Sequence, residues 1–565
     1  MDAAASQTPP RPRPALRVGV SAHQSRGWPS GDGDLARVRT AAQAILARIQ
    51  ESAAATATEF AAVYAGTPLL HCIVPDASGP HAVVADVARG LGYAIAGVPD
   101  AAGCVADRTV LRHADVLVSV GPAAELGDII VEAREWGIPI VHIDLCATDG
   151  WLVEGGTPDL AAVVRDTLAP PREAEKEPGR PLRRHAAVVG GPTIAAALTQ
   201  YVRTRPEWGV GGLFGSIVRL VAWERPRLPH FVVLGRSTIE RARADWESLW
   251  TRPSVVDSAI AVPVMRTLGA YYVWADGLAN RFGMLHRDAS ITPYLLALIT
   301  ALLAAHVGGV AANAGPVIVA WVVFFLYRHA VRARYHDRWI DYRSLAEQMR
   351  QLAFLWPVGR PLRAVRARGE AGSEAPQIAW IDWYARAVTR EAGLFPAALT
   401  AERIGEYRAL LIERFIRPQY EYHRRTVQRF DAVRSRLHKV ALGIFWATMI
   451  LATVNIVTRA VRGTPSLAAD IGAAAWWVRF AVPAAILLPA VAAGIHGFLG
   501  QGDFSNLARR SKSMAEQLHS LMASTPPSEE TTESLGDLAE AAAGVMGDEV
   551  LNWRVFVRLK APSLA

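Results

Sequence analysis

The stretch Ala289–Tyr327, ASITPYLLALITALLAAHVGGVAANAGPVIVAWVVFFLY, contains 39 residues without an aspartate, glutamate, lysine or arginine. About 20 apolar residues suffice for one helix to cross a bilayer, so this stretch is long enough for two. The segment AANAGP at 311–316 divides it, because Gly315 and Pro316 favour the end of one helix and the start of the next. The stretch therefore predicts a hairpin of two transmembrane helices, at 291–310 and 314–330.

Two further uncharged runs lie closer to the C-terminus, 440–458 over 19 residues and 480–502 over 23 residues. We predict that they form a second hairpin, with transmembrane helices at 440–458 and 474–499. A pair of buried hairpins in a soluble protein is the alternative, although uncharged runs this long rarely fit a globular core. The composition agrees with a membrane protein, because 20% of the residues are charged against about 25% in a typical soluble protein.

Polar residues inside the predicted spans and basic residues around them indicate how the helices lie in the bilayer. His306, Asn455 and His496 should face a bundle interior or a wet path, so they are candidate pore-lining residues; hydrogen-bonded packing is the alternative. Arginines flank the first hairpin while its 311–316 turn is uncharged, which places the flanks in the cytosol. Residues 1–15 lack the apolar core of a signal peptide. We therefore expect a multi-pass membrane protein with both termini cytosolic.

A repeated motif follows each hairpin, since SLAEQM (344–349) and SMAEQL (513–518) match at an offset of 169 residues. This predicts a hairpin–helix unit used twice. The first copy has apolar residues at alternating spacings of four and three, which is typical of a coiled-coil seam. These residues are Tyr335, Trp339, Tyr342, Ala346, Met349, Ala353 and Trp356. The seam either packs inside one chain or joins several chains into a homo-oligomer.

The C-terminal half resembles the SLATT family of bacterial transmembrane domains. The likeness rests on 272–304, on the SLAEQMR helix, on FIRPQYEYHRR (415–425) and on GDEVLNWRVF (547–556). It covers about 255–560. The resemblance implies a membrane-perturbing or pore-forming effector of the kind found in nucleotide-signalling and phage-defence systems.

The N-terminal part alternates strand-like and helix-like runs. Strands are predicted at 16–22, 68–75, 93–99, 114–120 and 138–145, and helices at 34–51, 80–92 and 123–136. Apolar strands separated by helices indicate a parallel sheet with both faces covered, an α/β Rossmann-like domain. In such a sheet ligands bind at the carboxyl ends of the strands, often with a phosphate at a helix N-terminus.

This domain resembles the SLOG superfamily, the Rossmann-like group of Smf/DprA and LOG proteins. The likeness lies in VGVSAHQSRGW (18–28), in 73–93 and in DVLVSVGPAAELGDIIVEAREWGIPIVHID (115–144). Members bind nucleotides, and the LOG branch hydrolyses the N-glycosidic bond of nucleoside monophosphates. The candidate ligand-binding residues at the predicted rim are Ser21, His23, Gly79, His81, Gly121, Glu125, Gly127 and Asp128.

The sequence departs from the LOG pattern at both motifs. Gly79-Pro80-His81 stands where the family has Gly-Ala-Asp, and Leu126-Gly127-Asp128 stands where it has Gly-Gly-Thr. An aspartate at a helix N-terminus would cap the helix and compete with a phosphate for the same amides. The position of the LOG glutamate falls on Val131, with Glu132 one place away. We therefore expect no LOG-type hydrolase chemistry and assign no catalytic residue.

No other pattern indicates a cofactor or a metal. The sequence has no P-loop, HExxH, GxSxG or zinc spacing, and Cys72, Cys104 and Cys146 form no CxxC. We expect no metal and no cofactor other than a nucleotide-derived ligand. The basic run 360–368 lies between predicted membrane helices without an aromatic stacking platform, so we expect no direct nucleic-acid binding.

These patterns predict an α/β domain followed by an all-α membrane region with four transmembrane helices in two hairpins. The predicted parts are a Rossmann-like domain (14–167), a linker (168–185), a helical connector (186–254), a first SLATT-like unit (255–357), a loop (358–377), a second unit (378–523), a loop (524–533) and a C-terminal helix (534–565).

Three functional hypotheses follow from this organisation. The first is a sensor–effector, in which a nucleotide-like small molecule acts through the cytosolic domain on a module that perturbs the lipid bilayer. The second is a membrane-anchored nucleotide or NAD N-glycosidase that uses Glu125 or Glu132 as its carboxylate. The third is a scaffold with no gating.

Overall fold

The computed structural model describes a mixed α/β domain followed by a mostly helical region, which confirms the predicted fold class at this level. The residues it describes are 7–22, 32–75, 78–97, 104–121, 128–144, 150–154, 159–170, 194–205, 212–224, 234–250, 258–306, 310–362, 380–396, 401–462, 476–523 and 531–559. Within helices, some side chains lie outside this description, among them those of 302–313 and 476–483.

Six strands form one sheet in the order β3-β2-β1-β4-β5-β6. They are β1 (Ala15–Ala22), β2 (Leu69–Val74), β3 (Ala94–Gly97), β4 (Val116–Val120), β5 (Ile140–Ile143) and β6 (Leu152–Val153). The first five are parallel, as the buried apolar runs predict, and β6 pairs antiparallel with β5. The sequence analysis missed β6, because a two-residue strand leaves no periodic pattern.

Helices cover both faces of the sheet. They are α1 (Asp32–Glu59), α2 (Gly79–Gly90), α3 (Cys104–His113), α4 (Asp128–Glu135) and α5 (Leu160–Leu168). Leu16 and Val18 belong to a core on one face, together with residues of α1, α2 and α5. Leu117 and Ile140 belong to a core on the other face, with residues of α3 and α4. Helix α3 was not predicted, because CVADRTVLRH is short and half of its residues are polar.

After the α/β domain, all the secondary-structure elements that the structure describes are helices. Its helices are α6 (Ile194–Arg203), α7 (Leu213–Val221), α8 (Leu234–Trp250), α9 (Ser258–His306), α10 (Val310–Arg332), α11 (Tyr335–Leu355), α12 (Trp380–Ala392), α13 (Ala401–Leu410), α14 (Arg417–Arg462), α15 (Trp476–Gly502), α16 (Phe504–Ala523) and α17 (Thr532–Leu559). A large apolar core joins parts of α6, α8, α9, α11, α12, α13, α16 and α17, and we call these packed helices the helical body.

Two long helices each carry a hairpin and a returning helix. Helix α9 has 49 residues, about 74 Å at 1.5 Å per residue, and α11 returns from α10 to pack along it. Helix α14 has 46 residues, and α16 returns from α15 to pack along it. Arg334 and Asp503, just before the two returning helices, have left-handed φ angles of 54° and 43°. Their separation equals the offset of the two sequence motifs, so the same backbone reversal occurs at equivalent points.

The predicted seam on α11 packs inside the chain. Tyr342, Met349 and Trp356 are buried in the core of the helical body. Tyr335 and Trp339 are partly buried against the same core. Of the two alternatives for this seam, the structure has packing within one chain.

Two helical stretches, not the predicted four, are long and apolar enough to span a membrane among the residues searched. They are Ala314–Val358 and Arg403–Val454. Each contains an 18-residue window of mean hydropathy 1.6, and this window is 0% buried in the first stretch and 6% buried in the second. The other two predicted spans, 291–310 and 474–499, include the undescribed side chains of 302–310 and 476–483. The structure therefore supports membrane association through apolar helices, and the count of four stays a prediction.

Candidate functional site

The carboxyl edge of the sheet holds part of the predicted ligand-binding set. Ser21 lies near the end of β1 opposite Ser119 of β4, and both side chains are buried on the α3–α4 face. Gly121 directly follows β4, and its N–H donates to the Ile143 carbonyl at 3.2 Å. Polar groups from adjacent strands thus come together where β1 and β4 end.

His81 joins this edge from α2. Its Nε2 accepts a hydrogen bond from the Ala22 backbone N–H at 2.9 Å, and the residue is only 7% exposed. Because Nε2 accepts this bond, a neutral ring carries its proton on Nδ1. His81 therefore fixes the end of β1.

The remaining members of the predicted set are only partly described. Gly79 is the first residue of α2, and Asp128 is the first residue of α4. His23, Glu125 and Gly127 lie outside the described residues, which end just past β1 and β4. Glu132, the alternative carboxylate, lies on α4 and accepts a long hydrogen bond of 3.4 Å from Arg108. Among the described residues no group of three or more histidine, cysteine or acidic side chains could hold a metal ion.

Of the three candidate pore-lining residues, the structure describes the side chain of His496 alone. The side chains of His306 and Asn455 lie outside the description. His496 on α15 is exposed, so a pore-lining role for it requires a wet surface or a second copy of the chain.

Helices α10 and α14 present broad apolar surfaces to the surroundings. On α10 the exposed side chains are Val317, Ile318, Trp321, Val322, Phe324, Phe325 and Leu326. On α14 they are Val440, Leu442, Phe445, Trp446, Met449, Ile450, Val454, Ile456 and Val457. Soluble monomers rarely expose contiguous apolar patches larger than a few hundred Å², so these faces need lipid or a protein partner.

Helix α12 docks the helical body onto the amino ends of the strands. Its Arg390 donates from Nε to Asp115 at 3.3 Å, and Arg17 of β1 donates to the same carboxylate at 3.1 Å. All three side chains are at most 8% exposed. Burial alone would raise the pKa of Asp115, but the two guanidinium groups hold that pKa below its usual value. Removal of the Asp115 carboxylate would leave two buried guanidinium groups without a counter-charge.

Glu391, the next residue of α12, connects the α/β domain to α9. Its Oε2 accepts from the Arg13 backbone N–H at 3.0 Å, just before β1, and from the Tyr271 hydroxyl of α9 at 2.5 Å. Burial raises the pKa of Glu391, although both hydrogen bonds oppose this shift. One carboxylate thus contacts the start of the sheet and α9 together.

Further contacts complete the interface. His113 Nε2 lies 3.0 Å from the Gly359 carbonyl, and Trp383 donates to the Leu168 carbonyl at 3.4 Å. Gly393 ends α12 with a φ of 65°, and a Cβ there would lie 2.7 Å from His71 Cε1. The sequence analysis missed this interface. The sequence feature that could have indicated it is the amphipathic run WIDWYARAVTREA, because its aromatic and basic residues all require partners.

Comparison with known proteins adds one match. Residues 270–360 match a family model described as a protein of unknown function (DUF4231). The matched segment begins within α9 and runs through α10 and α11 to Arg360, so it covers most of the first long helix, all of α10 and the returning helix. No curated protein and no solved structure matches the chain.

Proposed function

We propose that this protein is a sensor–effector of the bacterial inner membrane. In this account the cytosolic α/β domain binds a nucleotide-like small molecule, and the binding changes how the apolar helices perturb or permeate the bilayer. Such a protein fits a nucleotide-signalling or phage-defence system. The four predicted membrane helices, the cytosolic termini and association of several copies are parts of the same proposal.

The sensor half of the proposal is supported by the strand order. The order β3-β2-β1-β4-β5 reverses direction at β1 and β4, and ligands of such sheets bind outside the carboxyl ends at this switch point. Ser21, His81 and Gly121 lie at this edge. The altered glycine motif removes part of a phosphate cradle, so we infer binding without hydrolysis.

The effector half is supported by the exposed apolar faces of α10 and α14. An 18-residue apolar window at 0% burial matches the requirement of a bilayer and not that of a protein core. Both helices extend from elements that pack in the helical body, so a movement of the helical body would also move the apolar helices.

The single observation that carries the proposal is the Glu391 contact. Glu391 joins the segment before β1 to Tyr271, and Tyr271 belongs to the same continuous helix α9 that enters the first predicted span. A ligand that binds two arrangements of the α/β domain with different affinity would shift α9 by this route.

The experiment uses the purified full chain reconstituted in dye-loaded vesicles of bacterial lipids. AMP, NAD, ADP-ribose and cyclic dinucleotides are added one at a time, and dye release and nucleotide products are measured in the same tubes. We expect at least one nucleotide to raise dye release at least severalfold without being consumed.

Two other outcomes would overturn the proposal. Consumption of a nucleotide that is lost in Glu132→Gln or Glu125→Gln, with vesicles remaining tight, would identify a tethered N-glycosidase. Tight vesicles with every nucleotide and no products would identify a scaffold.

A further inference from the structure

A cleft of about 540 Å³ lies between the α/β domain and the helical body, at the amino ends of β1 and β4. It is on the opposite edge of the sheet from the ligand site proposed above. Residues of α3, α4, α12, α17 and the segment around Arg360 line it. A molecule in this cleft would therefore touch both parts of the protein.

Basic side chains outnumber acidic ones in the lining. Six arginines line the cleft: Arg17, Arg108, Arg112, Arg360, Arg386 and Arg390. Four carboxylates accompany them: Asp115, Glu132, Asp537 and Glu540. Asp537 and Glu540 lie 2.8 Å and 3.7 Å from Arg360, and Glu132 lies 3.4 Å from Arg108. Three of the four carboxylates are therefore paired with Arg360 or Arg108. The fourth, Asp115, is the carboxylate at the buried end of the cleft.

Two buried guanidinium groups share that one carboxylate. Arg17 is 2% exposed and Arg390 is 3% exposed, and both bond to Asp115. Nη1 of Arg17 and Nη1 of Arg390 are buried and have no hydrogen-bond partner among the described residues. Buried charges normally have a matching partner, because desolvation without one is expensive. The excess positive charge at this end of the cleft calls for an anion.

The shape and lining of the cleft restrict the kind of anion. Its volume falls within the roughly 300–1,000 Å³ typical of small-molecule pockets. Trp136 and Ile138 provide an apolar wall beside the charged one. Guanidinium groups suit phosphate oxygens, because their planar donors form paired charge-assisted bonds.

We propose that this cleft binds a phosphate-bearing small molecule of about mononucleotide size, held between the two parts of the chain. The phosphate lies near Arg17, Arg390 and Arg112, and the apolar portion lies against Trp136. Since the walls belong to both parts, the ligand favours the docked arrangement over any arrangement in which α12 has separated from the sheet.

The test is calorimetric titration of the full chain in detergent with AMP, with adenosine as the probe that lacks phosphate. We expect AMP to bind and adenosine to bind at least tenfold more weakly. Arg112→Gln should weaken AMP binding about tenfold, the value of one charge-assisted hydrogen bond. Glu132→Gln should tighten it about fivefold, because a like charge beside the ligand is removed.

Two control variants separate this cleft from other sites. Arg89→Gln alters an arginine of the same domain that lies outside the cleft, paired with Asp86 at 2.6 Å, and it should leave AMP affinity unchanged. His81→Ala alters only the carboxyl edge of the sheet. AMP binding that is abolished by His81→Ala but unaffected by Arg112→Gln and Glu132→Gln would overturn the proposal. Absence of AMP binding to the wild-type chain would overturn it as well.

Discussion

At the scale of single residues, the interface depends on buried polar groups that satisfy one another. Asp115 lies between Arg17 and Arg390, and Glu391 lies between the Arg13 amide and Tyr271. Each carboxylate has partners on two different elements, so its removal breaks hydrogen bonds to both of them. Such groups are sensitive to substitution and to pH.

The first prediction concerns Asp115→Asn. The change leaves two buried guanidinium groups without a counter-charge, and we expect a loss of about 3 kcal/mol in the free energy of unfolding. The measurement is the urea midpoint of the full chain in detergent. Asp86→Asn is the matched control, because its pair with Arg89 is exposed at 55% and 64% and contributes little. Equal effects of the two substitutions would contradict the prediction.

The second prediction concerns pH. Burial is the main cause that lowers the pKa of four histidines outside the predicted spans, to about 4, 3, 3 and 4: His71, His113, His286 and His423. The folded chain keeps them neutral while the unfolded chain binds protons below about pH 6.5. Stability should therefore fall as the pH drops from about 7 towards 4, by up to about 1.4 kcal/mol per histidine and pH unit. The raised pKa of Glu391 acts in the opposite direction.

Thermal unfolding midpoints of the full chain at pH 7.5 and 5.5 test this pH dependence. His113→Gln should reduce the difference between the two midpoints, because one buried histidine no longer contributes to proton binding on unfolding. His519→Gln, a change at an exposed histidine of α16, should leave the difference unchanged. A midpoint that rises on acidification would contradict the account.

At the scale of secondary-structure elements, α12 decides how the two parts of the chain fit together. Trp380, Trp383 and Tyr384 are buried, as are the basic residues Arg386 and Arg390 that point to the cleft side. The helix ends at Gly393, where the backbone turns against His71. The element is therefore enclosed on most sides and tolerates little change.

The third prediction concerns Gly393→Ala. A left-handed φ of 65° costs a residue with a Cβ about 1–2 kcal/mol, and the 2.7 Å approach to His71 adds a steric conflict. We expect a clear loss in the thermal midpoint and faster proteolysis at the interface. Gly90→Ala at the end of α2 is the control, since a Cβ there meets nothing within 4 Å. It should leave stability unchanged or slightly raised.

Much of the element structure could be predicted from the sequence, and much of the site could not. Apolar runs at 16–22, 68–75 and 114–120 led directly to β1, β2 and β4, because strands buried on both faces are apolar throughout. The motif offset of 169 anticipated the equivalent turns at Arg334 and Asp503. The Asp115 and Glu391 clusters join residues more than 250 positions apart, and no local pattern carries such a pairing.

At the scale of the whole molecule, a docked α/β domain lies at one end of α9 and exposed apolar helices extend from the other. The helical body between them shares a continuous core. The exposed apolar faces need lipid or a protein partner, and the proposal that they lie in a bilayer can be tested apart from any ligand.

The fourth prediction concerns Val322→Arg. Val322 is 41% exposed in the middle of the predicted 314–330 span, where an arginine costs about 3 kcal/mol of insertion free energy. We expect a marked fall in the fraction that resists alkaline extraction from membranes. Val131→Arg, at a valine 47% exposed on α4, is the matched control and should leave that fraction unchanged. Unchanged membrane retention in both variants would contradict the placement of α10 in the bilayer.

The measurement that tests the central claim most directly is nucleotide-dependent dye release by Tyr271→Phe in vesicles. This change removes the hydroxyl that donates to Glu391 and preserves the ring, so α9 loses its hydrogen bond to the α12 carboxylate that also binds the segment before β1. Tyr272→Phe is the control, because Tyr272 stacks on Trp246 inside the helical body at 4.7 Å between centroids. We predict that nucleotide-stimulated release relative to basal release falls toward one in Tyr271→Phe and is retained in Tyr272→Phe. A nucleotide response in Tyr271→Phe equal to that of the wild type would contradict coupling through α12 and α9.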